Sequence, residues 1–177
     1  MMRAENDAIL IGIETALADD PMLDCRIPGL ERYSPTRVVL DSRLRLDPSL
    51  KLVRTAAALP TIVFTAAPGD GALERHGVLV VTVAADAQGR PDLGAVLTAL
   101  AARNVTRLLV EGGATVHRAF LADGFADALE IFTAPITLGE KGHGAIAALK
   151  GDIAGKFTRT SRRKIGTDVL ESYSRRA

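Results

Sequence analysis

The run Val110-Glu111-Gly112-Gly113-Ala114-Thr115 has the make-up of an anion site. Its two glycines let a ligand approach the main chain closely, and the free N–H groups of a following helix would point at it. A dinucleotide pyrophosphate suits such a turn, with Glu111 facing the same crevice. On this segment alone, a tight strand-to-helix turn that holds nothing fits as well. The turn is neither Gly-x-Gly-x-x-Gly nor a Walker loop, so those motifs contribute nothing.

A second stretch, Glu14 to Arg26, is polar and interrupted by Asp19-Asp20-Pro21. Thr15 can donate or accept a hydrogen bond, Asp19 and Asp20 offer carboxylates, and Arg26 offers a planar fork for phosphate. By spacing alone, Asp20 capping a turn before Pro21, with the rest solvated, fits better than a site. A third stretch, Asp41-Ser42-Arg43-Leu44-Arg45, sets a hydroxyl beside arginines. That suits a nucleotide phosphate, and an ordinary polar loop equally. His76, His117 and His143 show no ligand spacing and read as surface or helix residues. Cys25 is the single cysteine and reads as a small buried thiol. No Gly-x-Ser-x-Gly elbow occurs, which removes the main support for hydrolase chemistry.

The elements that must position these residues follow from hydrophobic patterning. Short apolar runs at 8–13, 37–41, 61–65, 78–83, 107–110 and 128–133 read as strands. Leu93, Val96, Leu97, Leu100 and Ala101 draw one helical stripe, with Asp92 placed to cap it. A further helix is expected from Ala114 to Asp123, facing Val116, Ala119 and Phe120 inward and stopping at Gly124. Strand-helix-strand spacing implies an α/β fold with a mostly parallel sheet covered on both faces. The segments flanking Gly166, residues 156–164 and 167–173, read as a polar antiparallel hairpin at a sheet edge. In such sheets ligands bind beyond the carboxyl ends of the strands, where all three polar stretches fall.

Composition narrows the class. The chain has 177 residues, 47% apolar and 24% charged, as expected of one globular domain spanning 1–177. A net charge of +1, 4% aromatic residues and no Trp argue against a nucleic-acid partner. No stretch of about 18 apolar residues exists, so no membrane span is expected. Residues 1–7 carry charges of both signs and do not resemble a signal peptide, which makes a cytoplasmic chain the expectation.

Taken together, four segments in order resemble the reductase domain of riboflavin biosynthesis. They are Asp7-Ala8-Ile9-Leu10-Ile11-Gly12 running on through Thr15 to Asp19-Asp20-Pro21-Met22-Leu23, then Thr36 to Ser42, then Val110-Glu111-Gly112-Gly113, then Ala134-Pro135-Ile136-Thr137-Leu138-Gly139. The resemblance implies a dihydrofolate-reductase-like fold with a C-terminal antiparallel hairpin. It implies NADPH as cofactor, a phosphorylated pyrimidine as substrate, and a homodimer. The reaction would reduce the ribosyl ring of 5-amino-6-(5-phosphoribosylamino)uracil to a ribityl chain. By the same resemblance, Thr15, Asp19, Ser42, Gly113, Ala114, Thr115 and Val116 would contact the cofactor. Arg3, Leu23, Arg26 and Glu111 would contact substrate, and Asp19 and Glu111 would be the catalytic carboxylates. The bifunctional members add a zinc deaminase domain, of whose His and Cys ligands this chain has no trace. The chain also reads as lacking the first strand and helix of such a reductase domain. Two other readings stay open: a related reductase of another pterin-like or pyrimidine substrate, and a non-catalytic nucleotide-binding module.

Overall fold

The computed structural model describes residues 2–69, 71–136 and 155–176. Thr137-Leu138-Gly139 of the fourth motif and His143 lie outside them. The chain forms two compact units, Met1–His117 and Arg118–Ala177.

The first unit is built on five parallel strands: β1 (Ala8–Gly12), β2 (Thr36–Leu40), β3 (Thr61–Thr65), β4 (Leu79–Thr82) and β5 (Leu108–Val110). Their order across the sheet is β4-β3-β2-β1-β5, so β1 is paired on both sides. Leu10 stands opposite Val38 on one side and Val110 on the other. Ala8, Ile9, Leu10 and Ile11 are all buried, which is why this strand is a continuous apolar run and not an alternating one. Ile9, Ile11, Val39 and Val63 share one face with Ile13, Ala16, Leu23, Leu52 and Val53 in the main apolar cluster.

Helix α1 (Ile13–Asp19) begins directly at the end of β1, where the pattern had suggested a polar loop. Its seven residues carry only two buried side chains, Ile13 and Ala16, and Gly12 at its start makes no side-chain cap. So short a helix has neither a readable stripe nor a start signal. It ends at Asp20, which is left-handed at φ 40° and donates its N–H to the Ala16 carbonyl. Asp20 is thus a C-cap, and its carboxylate accepts the Lys51 N–H at 2.8 Å, ahead of the short α2 (Lys51–Arg54). Helix α3 (Leu93–Ala101) is capped as its sequence suggests, the Asp92 side chain accepting from the Ala95 N–H. Helix α4 (Ala114–Ala122) follows β5 after the two glycines.

In the second unit β6 (Ala128–Thr133), β7 (Phe157–Ile165) and β8 (Asp168–Arg175) form an antiparallel sheet in the order β6-β8-β7. The expected hairpin around Gly166 is present. It does not extend the parallel sheet, because β8 has taken β6 as its second partner. The left-handed Gly124, at φ 75°, lies just past the end of α4.

Candidate functional site

Three clusters form at the carboxyl end of the parallel sheet. The first is the turn from β5 into α4. Gly112 and Gly113 both adopt positive φ, 77° and 83°, a region that costs an L side chain about 1–2 kcal/mol. A Cβ on Gly112 would lie 3.1 Å from Thr15 Cγ2, and one on Gly113 would lie 3.4 Å from Thr15 Oγ1. Thr15, on the first turns of α1, therefore packs directly on the glycine main chain. Gly12 is equally constrained, since a Cβ there would come 2.9 Å from Val116 Cγ2 in α4. The consequence is a bare stretch of backbone opening into a helix N-terminus, which fits a pyrophosphate. Ala114 starts the helix and Thr115 is exposed on its first turn. His117 is turned away, with Nε2 lying 3.2 Å from the Val110 carbonyl oxygen.

The second cluster surrounds Glu111. The Glu111 N–H donates to the Leu10 carbonyl, continuing the β1–β5 ladder and fixing the residue at the strand end. Its carboxylate accepts two hydrogen bonds from Arg3, Nε to Oε1 at 3.1 Å and Nη2 to Oε2 at 2.8 Å. Arg3 Nη1 also donates to the Asp24 carbonyl at 3.1 Å. The hydrogen bond to Glu111 raises the Arg3 pKa further above its ordinary value. Arg26 is exposed and pairs with the Asp24 carboxylate at 3.1 Å. Two guanidinium groups and two carboxylates thus meet beside the β5 end, on residues distant in sequence.

The third cluster is a pocket of about 290 Å³ lined by Glu14, Ser42, Arg43 and Arg45. Its floor is the loop after β2. Asp41 is fully buried, and its carboxylate accepts the Leu46 N–H at 2.8 Å and the Arg43 N–H at 3.3 Å. Arg45 Nη2 donates to Glu14 Oε1 at 2.5 Å.

Two residues expected to touch ligand occupy other environments. Leu23 is buried in the apolar cluster at φ 55°, so only its main chain is available to a ligand. Asp19 ends α1 on the surface, four residues beyond Thr15 and on the same helix face, and its carboxylate has no hydrogen bond or ion pair among the described residues. Sequence reasoning missed Glu14 as the partner of Arg45, because the two lie 31 positions apart and nothing local couples them. No group of three or more His, Cys, Asp or Glu among the described residues is arranged to hold a metal. No helix among them is long and apolar enough to cross a membrane.

Comparison with known proteins shows the family of the chain. Residues 1–170 match the family model of the RibD C-terminal domain. The riboflavin biosynthesis protein RibD of Bacillus amyloliquefaciens is 38% identical over 141 residues, which are 77% of this chain and 37% of that protein. The 2,5-diamino-6-ribosylamino-4(3H)-pyrimidinone 5′-phosphate reductase of Archaeoglobus fulgidus is 34% identical over 146 residues, 78% of this chain and 66% of that one. The chain thus spans between 37% and 66% of the length of these two relatives. Among solved structures, the Thermotoga maritima diaminohydroxyphosphoribosylaminopyrimidine deaminase/5-amino-6-(5-phosphoribosylamino)uracil reductase superposes with a TM-score of 0.78 at 26% identity, over 99% of this chain and 47% of that one.

Proposed function

The chain belongs to the RibD C-terminal domain family, and on that premise we propose that it reduces the ribosyl group of 5-amino-6-(5-phosphoribosylamino)uracil to the ribitylamino product with NADPH. The observation that carries this reading is the bare glycine cradle packed on Thr15, with the Arg3–Glu111 pair at the same strand end. The cradle suits the dinucleotide, and the pair with Arg26 suits a phosphorylated polar substrate.

When bound, the reduced nicotinamide supplies the hydride that the protein cannot. The chain's own residues bind and orient. The N–H groups at the start of α4 hold the pyrophosphate, and the Thr15 hydroxyl is placed to bond the cofactor alongside. Arg3, held by Glu111 and the Asp24 carbonyl, presents a fixed guanidinium to the substrate, while exposed Arg26 meets its phosphate. The ring-opened substrate is a Schiff base whose protonated form would carry positive charge at C1′, the charge that an incoming hydride discharges. Asp19 carries the unpaired carboxylate that stabilises such charge. Glu111 is neutralised by Arg3, so its part is to position that arginine. Leu23 contributes main-chain contacts, and Ser42 lies at the adenosine end. A cytoplasmic homodimer belongs to the same reading, and sedimentation of the purified chain tests its oligomeric half.

The deciding experiment mixes the purified chain with NADPH and the phosphoribosylaminouracil and follows loss of the reduced nicotinamide. Absence of turnover despite NADPH binding sinks the catalytic reading. Unchanged turnover in Asp19→Asn removes its electrostatic role. A second reading, reduction of the still-aminated 2,5-diamino pyrimidinone, is favoured by the archaeal relative's name. Comparing kcat/KM on the two pyrimidines separates them.

A further inference from the structure

Two carboxylates stand side by side at the end of α1, and their surroundings differ. Asp19, the last residue of the helix, has no hydrogen bond or ion pair among the described residues. Asp20 is fully engaged. Its Oδ1 accepts the Lys51 N–H at 2.8 Å, its Oδ2 lies 3.5 Å from Lys51 Nζ, and its carbonyl accepts from the same ammonium at 3.0 Å. Main chain and side chain of one residue thus tie the end of α1 to the start of α2.

The backbone shows what this clasp holds. Asp20 is left-handed at φ 40° and ψ 57°, and it precedes Pro21, where a residue is normally extended. Three residues on, Leu23 is also left-handed, at φ 55°, with its side chain buried in the apolar cluster. Strain of this kind persists only where the surroundings over-determine the backbone. Leu23 fixes the far end of the segment by burial, and Lys51 fixes the near end.

Helix α1 needs such a stop. Seven residues with two buried side chains make a helix that is marginal by itself, and Asp19 sits in its last turn, where helices fray. The Asp20 N–H closes on the Ala16 carbonyl, and the Lys51 ammonium lies on the Asp20 carbonyl, where positive charge favours a helix C-terminus. Lys51 also offsets the Asp20 charge. Of the two neighbouring carboxylates, only Asp19 is left uncompensated.

We propose that Asp20, clasped by Lys51, is a positioning residue for the reaction: it arrests α1 one residue after Asp19 and so holds the Asp19 carboxylate on the Thr15 face of the helix. The proposal rests on the reading of Asp19 as the carboxylate that stabilises charge on the substrate, and it is independent of which pyrimidine is reduced.

A kinetic double-mutant cycle with Asp19→Asn tests it. Asp20→Ala removes both the acceptor of the Lys51 N–H and the ion pair, whereas Asp20→Asn keeps an oxygen for that N–H and tolerates a left-handed backbone. Asp20→Ala is expected to lower kcat about tenfold, as when a catalytic group drifts by a fraction of an ångström, with the NADPH dissociation constant within about twofold of wild type. Asp20→Asn should recover most of that kcat. In the Asp19→Asn background Asp20→Ala should cost no further kcat, because the carboxylate it positions is gone. A clasp that serves stability alone would lower kcat by the same factor in both backgrounds, in step with the folded fraction seen by circular dichroism, and that result overturns the proposal. Full kcat in Asp20→Ala overturns it as well. Should Asp20→Ala fail to fold, Lys51→Met removes only the half-exposed ammonium, and the same cycle run with it is judged by the same two results. Wild-type turnover with equal losses in both backgrounds removes this inference and leaves the proposed function standing. Absence of wild-type turnover removes the proposed function and this inference with it.

Discussion

Replacing Gly112 with Ala tests the cradle most directly, because two separable costs can be worked from the structure. Gly112 sits at φ 77°, where an L residue costs about 1–2 kcal/mol. Its new Cβ would also stand 3.1 Å from Thr15 Cγ2, a few tenths of an ångström too close. Overpacking of that kind costs about 1–3 kcal/mol, and half-buried Thr15 can yield, so the lower end applies. The sum is about 2–3 kcal/mol, a large part of the roughly 5–15 kcal/mol that holds a domain together. Urea denaturation should register that loss as a lower midpoint with an unchanged slope. NADPH affinity, measured by fluorescence titration, should fall at least about tenfold if the turn holds the pyrophosphate as proposed, since the methyl crowds Thr15 and shifts the glycine backbone, and about 1.4 kcal/mol is a decade. Thr15→Ser removes the crowded Cγ2 and keeps the hydroxyl. Combined with Gly112→Ala it should therefore restore about 1 kcal/mol of stability and leave the backbone cost in place, a coupling that a double-mutant cycle resolves. If Thr15→Ser has the same effect with and without Gly112→Ala, Thr15 does not pack on the turn as described. If Gly112→Ala binds NADPH normally, the turn is not the pyrophosphate site.

Three further outcomes follow from other parts of the first unit. Arg37, fully buried at the start of β2, donates to Thr55 Oγ1 at 2.8 Å and to the Leu52 and Leu59 carbonyls at 3.1 and 2.6 Å, while burial pushes its pKa down to about 10. Arg37→Met removes the cost of desolvating a guanidinium but strands acceptors worth more together, so a net loss of about 2–4 kcal/mol is expected in denaturant melts; a neutral or stabilised variant would show that the guanidinium is merely tolerated. The Asp7 carboxylate accepts from the Thr106 N–H, the Thr106 hydroxyl and the Arg107 N–H, which hold its pKa below the ordinary carboxylate value. Its stabilising effect is therefore complete above the ordinary value of 3.8 and fades as pH drops through the lowered one. Asp7→Asn should lower the melting temperature at neutral pH and converge with wild type in strong acid, and a difference that persists there would contradict the linkage. Glu111→Gln leaves Arg3 without its charged partner; turnover should fall about tenfold with NADPH affinity unchanged, whereas weakened NADPH binding would move the pair into the cofactor site.

Much of this architecture was legible in the chain because its signals are local. Continuous apolar runs gave the five parallel strands, the i, i+3, i+4 stripe gave α3, and Asp92 marked its start. The diglycine turn was legible for the same reason: positive φ and a following helix are demands that adjacent residues meet. What escaped depends on encounters between distant residues. Helix α1 is too short to carry a period, and its start at Gly12, which leaves no room for a side chain beside Val116, has no side-chain cap. Glu14 meets Arg45 because parallel β1 and β2 bring their carboxyl ends level, and Arg3 meets Glu111 and Asp20 meets Lys51 only once the chain has folded. The exchange of β6 into an antiparallel sheet with β8 is likewise a choice of partner that β6's own residues do not encode.

The loop after β2 separates two jobs that are usually entangled. Its backbone is held from within, by a buried carboxylate and a leucine packed on the apolar cluster, while Ser42, Arg43 and Arg45 line a pocket. Such a loop works as a socket. The side chains at 42, 43 and 45 lie apart from the Asp41 and Leu44 contacts that hold the backbone, so the pocket lining can change without loss of fold. Selection on the pocket lining and selection on stability act here on different atoms of the same short loop.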